Sequence, residues 1–189
     1  MHIAQKYRFV NGRIILKDAT QLSGQLKWFP SQNDKLKFRE SENADTKKYS
    51  PADLIGFTTD SLKFVSLFDL EVYSDSYALS GRTSKIKHTF GQLLDSGSYN
   101  IYFVSVTGAD AISGTIQTYP NFYFEKRVDN NYLYAAYPFA IRMKDKRYEK
   151  AKDSLYLFFK DYPQIIEKIK AYKKQDDFFE IIQLMKQLN

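Results

Sequence analysis

The feature that most constrains the fold is one run of residues, Tyr99–Val106, reading Tyr-Asn-Ile-Tyr-Phe-Val-Ser-Val. β-Branched and aromatic side chains dominate it. Ser96-Gly97-Ser98 and Thr107-Gly108 bound it, which is the signature of a strand. Both of its period-two faces are largely apolar: Tyr99, Ile101 and Phe103 on one, Tyr102, Val104 and Val106 on the other. A half-exposed strand would leave one face polar, so this strand is expected to be central and covered on both sides.

Other strands follow from the same alternation. Tyr7–Val10 and Arg13–Leu16 flank Asn11-Gly12, a pair that tolerates φ > 0 and reads as a hairpin turn. Asp18-Ala19-Thr20 is a further turn. Leu22–Trp28 alternates, with Gly24 marking a bulge or a close backbone approach. Lys35–Glu40 reads as a strand. Ser50-Pro51-Ala52-Asp53 reads as a short capped helical turn, with Pro at the first helical position. Leu62–Leu67, Leu70–Tyr73 and Lys85–Phe90 read as strands, with a polar turn over Ser74–Thr83. Gly108–Gly114 reads as a small-residue loop. Asn121–Val128 and Tyr132–Tyr134 surround Asp129-Asn130-Asn131, a second hairpin signal. Phe139–Met143 is a last strand or a lead-in to helices.

The period changes at Lys144. Tyr148, Ala151, Leu155, Phe158 and Tyr162 form one helical stripe, which Pro163 ends while opening the next helix. Ile165, Ile166 and Ile169 face inward on that second helix. Asp177 and Glu180 have capping-box spacing for a third, with Phe178, Ile181, Ile182, Met185 and Leu188 as its stripe. The expectation is therefore an α+β, mainly β protein. Its β-rich domain, about 6–143, is an antiparallel curved sheet or a barrel-like form. A C-terminal appendage of two to three helices, 144–189, packs on one end or face of it.

Charge enters where partners are concerned. Residues 1–141 carry 16 basic and 14 acidic side chains, and residues 142–189 carry 12 and 8, so most of the net charge of +6 sits in the tail. There Lys alternates with acids, the pattern of a solvated helix face, and this does not point to nucleic acid. The absence of Cys excludes disulfides, thiolate catalysis and Cys-type metal sites. No stretch approaches the apolar length of a transmembrane helix.

No catalytic constellation emerges. His2 and His88 are far apart, and no Gly-x-Ser-x-Gly elbow supports a triad at His88. Ser84-Lys85-Ile86-Lys87 matches Ser-x-x-Lys only by chance, since the context reads as strand and a later Lys-Thr-Gly is missing. No phosphate loop, dinucleotide fingerprint or metal-ligand spacing is present, and no cofactor is expected. One segment stands above this background. Tyr119-Pro120-Asn121-Phe122-Tyr123-Phe124 runs into Glu125-Lys126-Arg127, aromatic and then basic. Tyr119, Phe122 and Tyr123 offer rings for stacking, and Lys126 and Arg127 offer charge for an anion. An amphipathic hairpin strand with its charges near the turn would read the same way.

Three segments, Gly12–Leu26, Tyr49–Phe57 and Phe158–Ile169, resemble a family of uncharacterised exported proteins of Gram-negative bacteria. Its members have a signal peptide, a β-rich body and a helical tail. Many carry Cys in that tail, where this chain has Tyr162 and Leu188-Asn189. The family has no assigned reaction, so the resemblance implies export to the periplasm or beyond, and architecture, rather than chemistry. A start at Met1–Gln5 with a signal peptide already removed is consistent with it. The leading functional expectation is a non-enzymatic binding or interaction protein of the cell envelope, whose partner is another envelope protein or a small apolar ligand. The alternatives are a small-molecule carrier with a cavity inside a β-barrel, and an envelope hydrolase using paired carboxylates.

Overall fold

The computed structural model describes residues 8–29, 32–73, 83–109, 116–138, 145–173 and 179–189. The start at Met1–Gln5 with His2, the turn over 74–82, the loop over 110–114, the segment Phe139–Met143, and Asp177 with Phe178 lie outside these residues. Among the described residues, ten strands precede three helices. The strands are β1 (Val10–Leu16), β2 (Gln21–Phe29), β3 (Gln32–Arg39), β4 (Lys47–Tyr49), β5 (Leu54–Thr59), β6 (Lys63–Tyr73), β7 (Thr83–Ser96), β8 (Asn100–Ala109), β9 (Ile116–Val128) and β10 (Asn131–Pro138). The helices are α1 (Asp145–Phe158), α2 (Pro163–Ala171) and α3 (Phe179–Gln187).

The strands form one ladder in the order β10-β9-β8-β7-β6-β5-β1-β2-β3-β4, ending at β10 and at β4. It is thus an open sheet and not a closed barrel. Each described register is antiparallel. The chain falls into two compact units, Met1–Leu70 with Lys85–Leu93, and Glu71–Ser84 with Leu94–Asn189. The helices belong to the second unit together with β8–β10. β10 and α1 therefore lie within one unit.

In the first unit, Asn11-Gly12 does not turn the chain. β1 runs straight through it, and the reversal comes at Lys17–Thr20. There the Leu16 N–H donates to the Thr20 carbonyl at 2.9 Å and Ala19 takes a φ of 68°. Gly12 answers a different demand. It stands opposite Gly24 of β2, and a Cβ on it would lie 2.3 Å from the Thr58 carbonyl oxygen of β5. Gly24 is the close approach its sequence suggested, since a Cβ there would lie 2.4 Å from the Arg39 carbonyl oxygen. At Ser50–Asp53 the chain makes a turn and no helix. The Ser50 N–H and hydroxyl both donate to Asp53 Oδ2 at 2.7 Å, and these bonds hold the Asp53 carboxyl below its usual range.

Alternation then sorts the side chains of this unit. Ile14 pairs with Leu22 and Phe57, Leu26 with Phe38, and Trp28 with Leu36, and all of them meet in one core. Trp28, half-buried, sits 5.4 Å from Phe57 and 5.3 Å from Phe64 between ring centroids. The two expected strands at Leu62–Leu67 and Leu70–Tyr73 are one strand, β6, which passes through Asp69 at a φ of 52°.

The second unit is built on Tyr99. Its ring meets Phe158, Phe159 and Tyr162 edge to face, at 6.1, 5.3 and 5.5 Å. Ile101, Phe122, Phe124 and Tyr137 from the strands share that core with Leu155, Ile165, Ile169, Ile181, Ile182 and Met185 from the helices. Of the stripes read from the sequence, Tyr148, Leu155, Phe158, Ile165, Ile169, Ile181, Ile182 and Met185 pack here, with Tyr162, Ile166 and Leu188 against them, while the side chains of Ala151 and Phe178 lie outside the described residues. α3 is fastened by two further contacts. The Tyr99 hydroxyl donates to the Met185 carbonyl at 2.5 Å. The Asn189 side-chain amide accepts from the Tyr99 N–H at 3.0 Å and donates to the Tyr99 carbonyl at 2.9 Å. The other face of β8 is closed too: Tyr99 is 2% exposed and Tyr102 4%. Two covered faces are what the apolar alternation of Tyr99–Val106 demands.

Candidate functional site

β9 and β10 form a hairpin whose turn is Asp129-Asn130, with Asp129 at a φ of 54°. Acidic and amide side chains tolerate that region best among non-glycine residues. The hairpin turns where Asp129-Asn130-Asn131 marks it. Period-two alternation along β9 then divides the residues singled out from the sequence.

Phe122 is fully buried on the helix-covered face, with its neighbour Phe124. Lys126 points the same way. Its ammonium donates to the carbonyl of Phe158, the last residue of α1, and lies 5.0 Å from the Phe158 ring centroid and 3.8 Å from Asp161. The last carbonyls of a helix have no intrahelical partner and carry its negative end, so a lysine here serves as a cap. Tyr123 occupies the opposite face and is 8% exposed. Arg127 is exposed, and its Nε–H donates to the Asp129 carbonyl at 3.1 Å. Tyr119 is placed by its backbone, opposite Val106 in β8, and its side chain lies outside the described residues. The structure thus brings Tyr123 and Arg127 to one face and gives Phe122 and Lys126 to the other.

What gathers around Tyr123 is a cluster of tyrosines about one carboxylate. Tyr102 stands opposite Tyr123, and Tyr134 opposite Glu125. The Tyr102 hydroxyl donates to Glu125 Oε2 at 2.7 Å, and Asn100 Nδ2 donates to the same oxygen at 2.9 Å. Tyr123 and Tyr134 are 5.6 Å apart at 28°, and Tyr134 and Tyr132 6.2 Å apart at 25°. These near-parallel rings lead outward from the buried Tyr123 to Tyr134 at 46% exposure and Tyr132 at 57%. Val128 is also exposed. Burial raises the Tyr102 phenol first, and the bond to Glu125 adds to it. Burial and the charges of Tyr134 and Glu125 raise Tyr123. Burial also leads at Tyr134, followed by the Glu125 charge and hydrogen bond. The phenols therefore remain neutral hydrogen-bond donors through the physiological range.

The sequence pointed to β9 but not to its partners. Tyr132 and Tyr134 stand two apart in a strand, a signal that was visible. Their meeting with Tyr102 and Glu125 comes from register alone. Among the described residues no three His, Asp or Glu side chains converge in a way that could hold a metal ion. No described helix is long and apolar enough to cross a membrane.

Fold and site together define a class: an α+β, mainly β protein with a tyrosine-faced hairpin at the β10 end of its sheet. Comparison with family models, curated proteins and solved structures finds no match to the chain.

Proposed function

We propose that this chain is a non-enzymatic binding protein that engages a protein partner through the β9–β10 face, with Tyr132 and Tyr134 as its anchors. One observation carries the reading: two exposed rings, Tyr134 at 46% and Tyr132 at 57%, stand stacked on the buried Tyr123, beside the Tyr102 hydrogen bond to Glu125. Tyrosine and arginine dominate the energetics of protein interfaces. They combine large area with few rotatable bonds and a polar tip. Here the base restricts the rings before any partner arrives, which lowers the ordering cost of binding. Arg127 at the rim supplies charge. The sequence resemblance adds the location, the cell envelope or the exterior, and hence an envelope protein as the partner.

The test is a peptide-display selection against the wild-type protein, counter-screened on Tyr132→Ser with Tyr134→Ser. The expected binders lose at least about tenfold in affinity for the double variant, the size of one modest hot spot. Binders that hold both proteins equally well would sink the reading.

A further inference from the structure

The first unit carries a second surface that net charge conceals. Its core takes one face of β1–β5, so alternation sends the other residues to the opposite face. Register aligns them across strands. Lys27 of β2 pairs with Lys37 of β3, which pairs with Lys48 of β4. Gln25 pairs with Arg39 in the next row. Arg13 of β1 pairs with Thr58, which pairs with Lys63 of β6. Six cations thus share one sheet face. Lys35 and the single acid within β1–β5, Asp34, lie in the irregular stretch of β3 before Leu36, and β6 carries Asp69 and Glu71 beyond Lys63.

Like charges directly opposite on neighbouring strands destabilise a sheet. Three lysines in a row should therefore draw acids into the gaps, and here they do not. Among the described residues none of the six makes a salt bridge. The arginines are held by neutral oxygens. Arg39 Nε–H donates to Gln25 Oε1 at 2.8 Å and its Nη1 to the Glu42 carbonyl at 2.8 Å, and Arg13 donates to Gln21 Oε1 at 2.8 Å. Among the described residues no carboxylate pairs with this charge.

We infer that this face docks on an anionic lipid surface. The cations are spread in two dimensions over five strands of the run β6-β5-β1-β2-β3-β4, which matches a plane of headgroups. Single-stranded nucleic acid asks for a basic track with rings open for base stacking. The rings here are taken by the chain's own cations: Arg39 lies 4.2 Å over Phe9, and Lys27 lies 5.9 Å from Phe9 and 5.5 Å from Phe29. Attraction of this kind acts within a Debye length, so it requires close approach and fails in high salt.

The test is co-sedimentation of the full chain with vesicles of phosphatidylcholine, with and without phosphatidylglycerol. Binding is expected only to the anionic vesicles and is lost by about 0.5 M salt. Replacing Lys27, Lys37 and Lys48 together by Gln should lower partitioning about a hundredfold, at the usual attraction per basic residue near an anionic leaflet. The same variant should melt no lower than wild type, because it relieves like-charge repulsion and leaves the core untouched. Removing the same charge from the other unit, by Lys160→Gln, Lys168→Gln and Lys170→Gln, should leave binding within about threefold. Equal binding to neutral vesicles, equal loss in the two triple variants, or tighter binding to an oligothymidylate probe in the same buffer would overturn the inference.

Discussion

Replacing Tyr99 by Phe probes how the helical layer is fastened to the sheet. The change removes one oxygen and keeps the ring, its three edge-to-face contacts and its burial. What it takes away is the bond to the Met185 carbonyl. Met185 lies in the last turn of α3, where carbonyls lack intrahelical partners. In this buried place no water replaces the hydroxyl. Losing a hydrogen bond and leaving its buried acceptor unmatched costs about 2 kcal/mol. In a chain of this size that lowers the melting temperature by about 4–8 °C. Tyr99→Ala adds a cavity among Phe158, Phe159 and Tyr162 and should cost about 5 kcal/mol in all. The assay is denaturant unfolding followed by far-UV circular dichroism, with amide exchange read across Ile181–Gln187. Exchange there should quicken more than in β8. If Tyr99→Phe unfolds within about 0.5 kcal/mol of wild type, the ordinary range of neutral surface changes, the hydroxyl does not hold α3 and the reasoning fails.

Three further outcomes follow from other sites. Gly56→Ala would place a Cβ 2.2 Å from the Phe64 carbonyl oxygen, backbone that cannot give way, so the variant should lose about 3 kcal/mol by denaturant titration. Lys152 is buried, with its ammonium 2.7 Å from the Tyr172 carbonyl and 3.1 Å from Glu149. Lys152→Met should keep the packing yet lose about 2 kcal/mol by the same titration. Tyr99, Tyr102 and Tyr123 have phenols raised above the ordinary value of 10.0, by burial first. The folded chain holds these protons more tightly than the unfolded one, so their contribution is complete below pH 10 and falls as pH rises above it. Phenolate absorbance should show them ionising together with unfolding. Smooth titration of every tyrosine in the folded state would contradict their burial.

How much could be read beforehand depends on where each feature is encoded. Tyr99–Val106 announced a strand with two covered faces because alternation is local, and both Tyr99 and Tyr102 are buried. The helices were legible from Tyr148, Leu155 and Phe158, and from Pro163 at the start of α2. Lys152 was not, since a lysine beside an apolar stripe normally points to water. Asn11-Gly12 misled because glycine serves turns and close strand approaches alike, and only the partner strand tells which. The aromatic-then-basic run at Tyr119–Arg127 located β9, but not how its alternation would part Phe122 and Lys126 from Tyr123 and Arg127. The row Lys27–Lys37–Lys48 was hidden for the same reason. Its members are far apart in sequence, and acids elsewhere in residues 1–141 offset them in any count of charge.

The most direct measurement is limited nitration of the full chain, with modified tyrosines mapped by mass spectrometry. Of the described tyrosines, Tyr132 and Tyr134 should react first, while Tyr99, Tyr102, Tyr123 and Tyr137 stay protected until the chain unfolds. Early labelling of Tyr102 or Tyr123, or slow labelling of Tyr132 and Tyr134, would contradict a binding face raised on a buried tyrosine base.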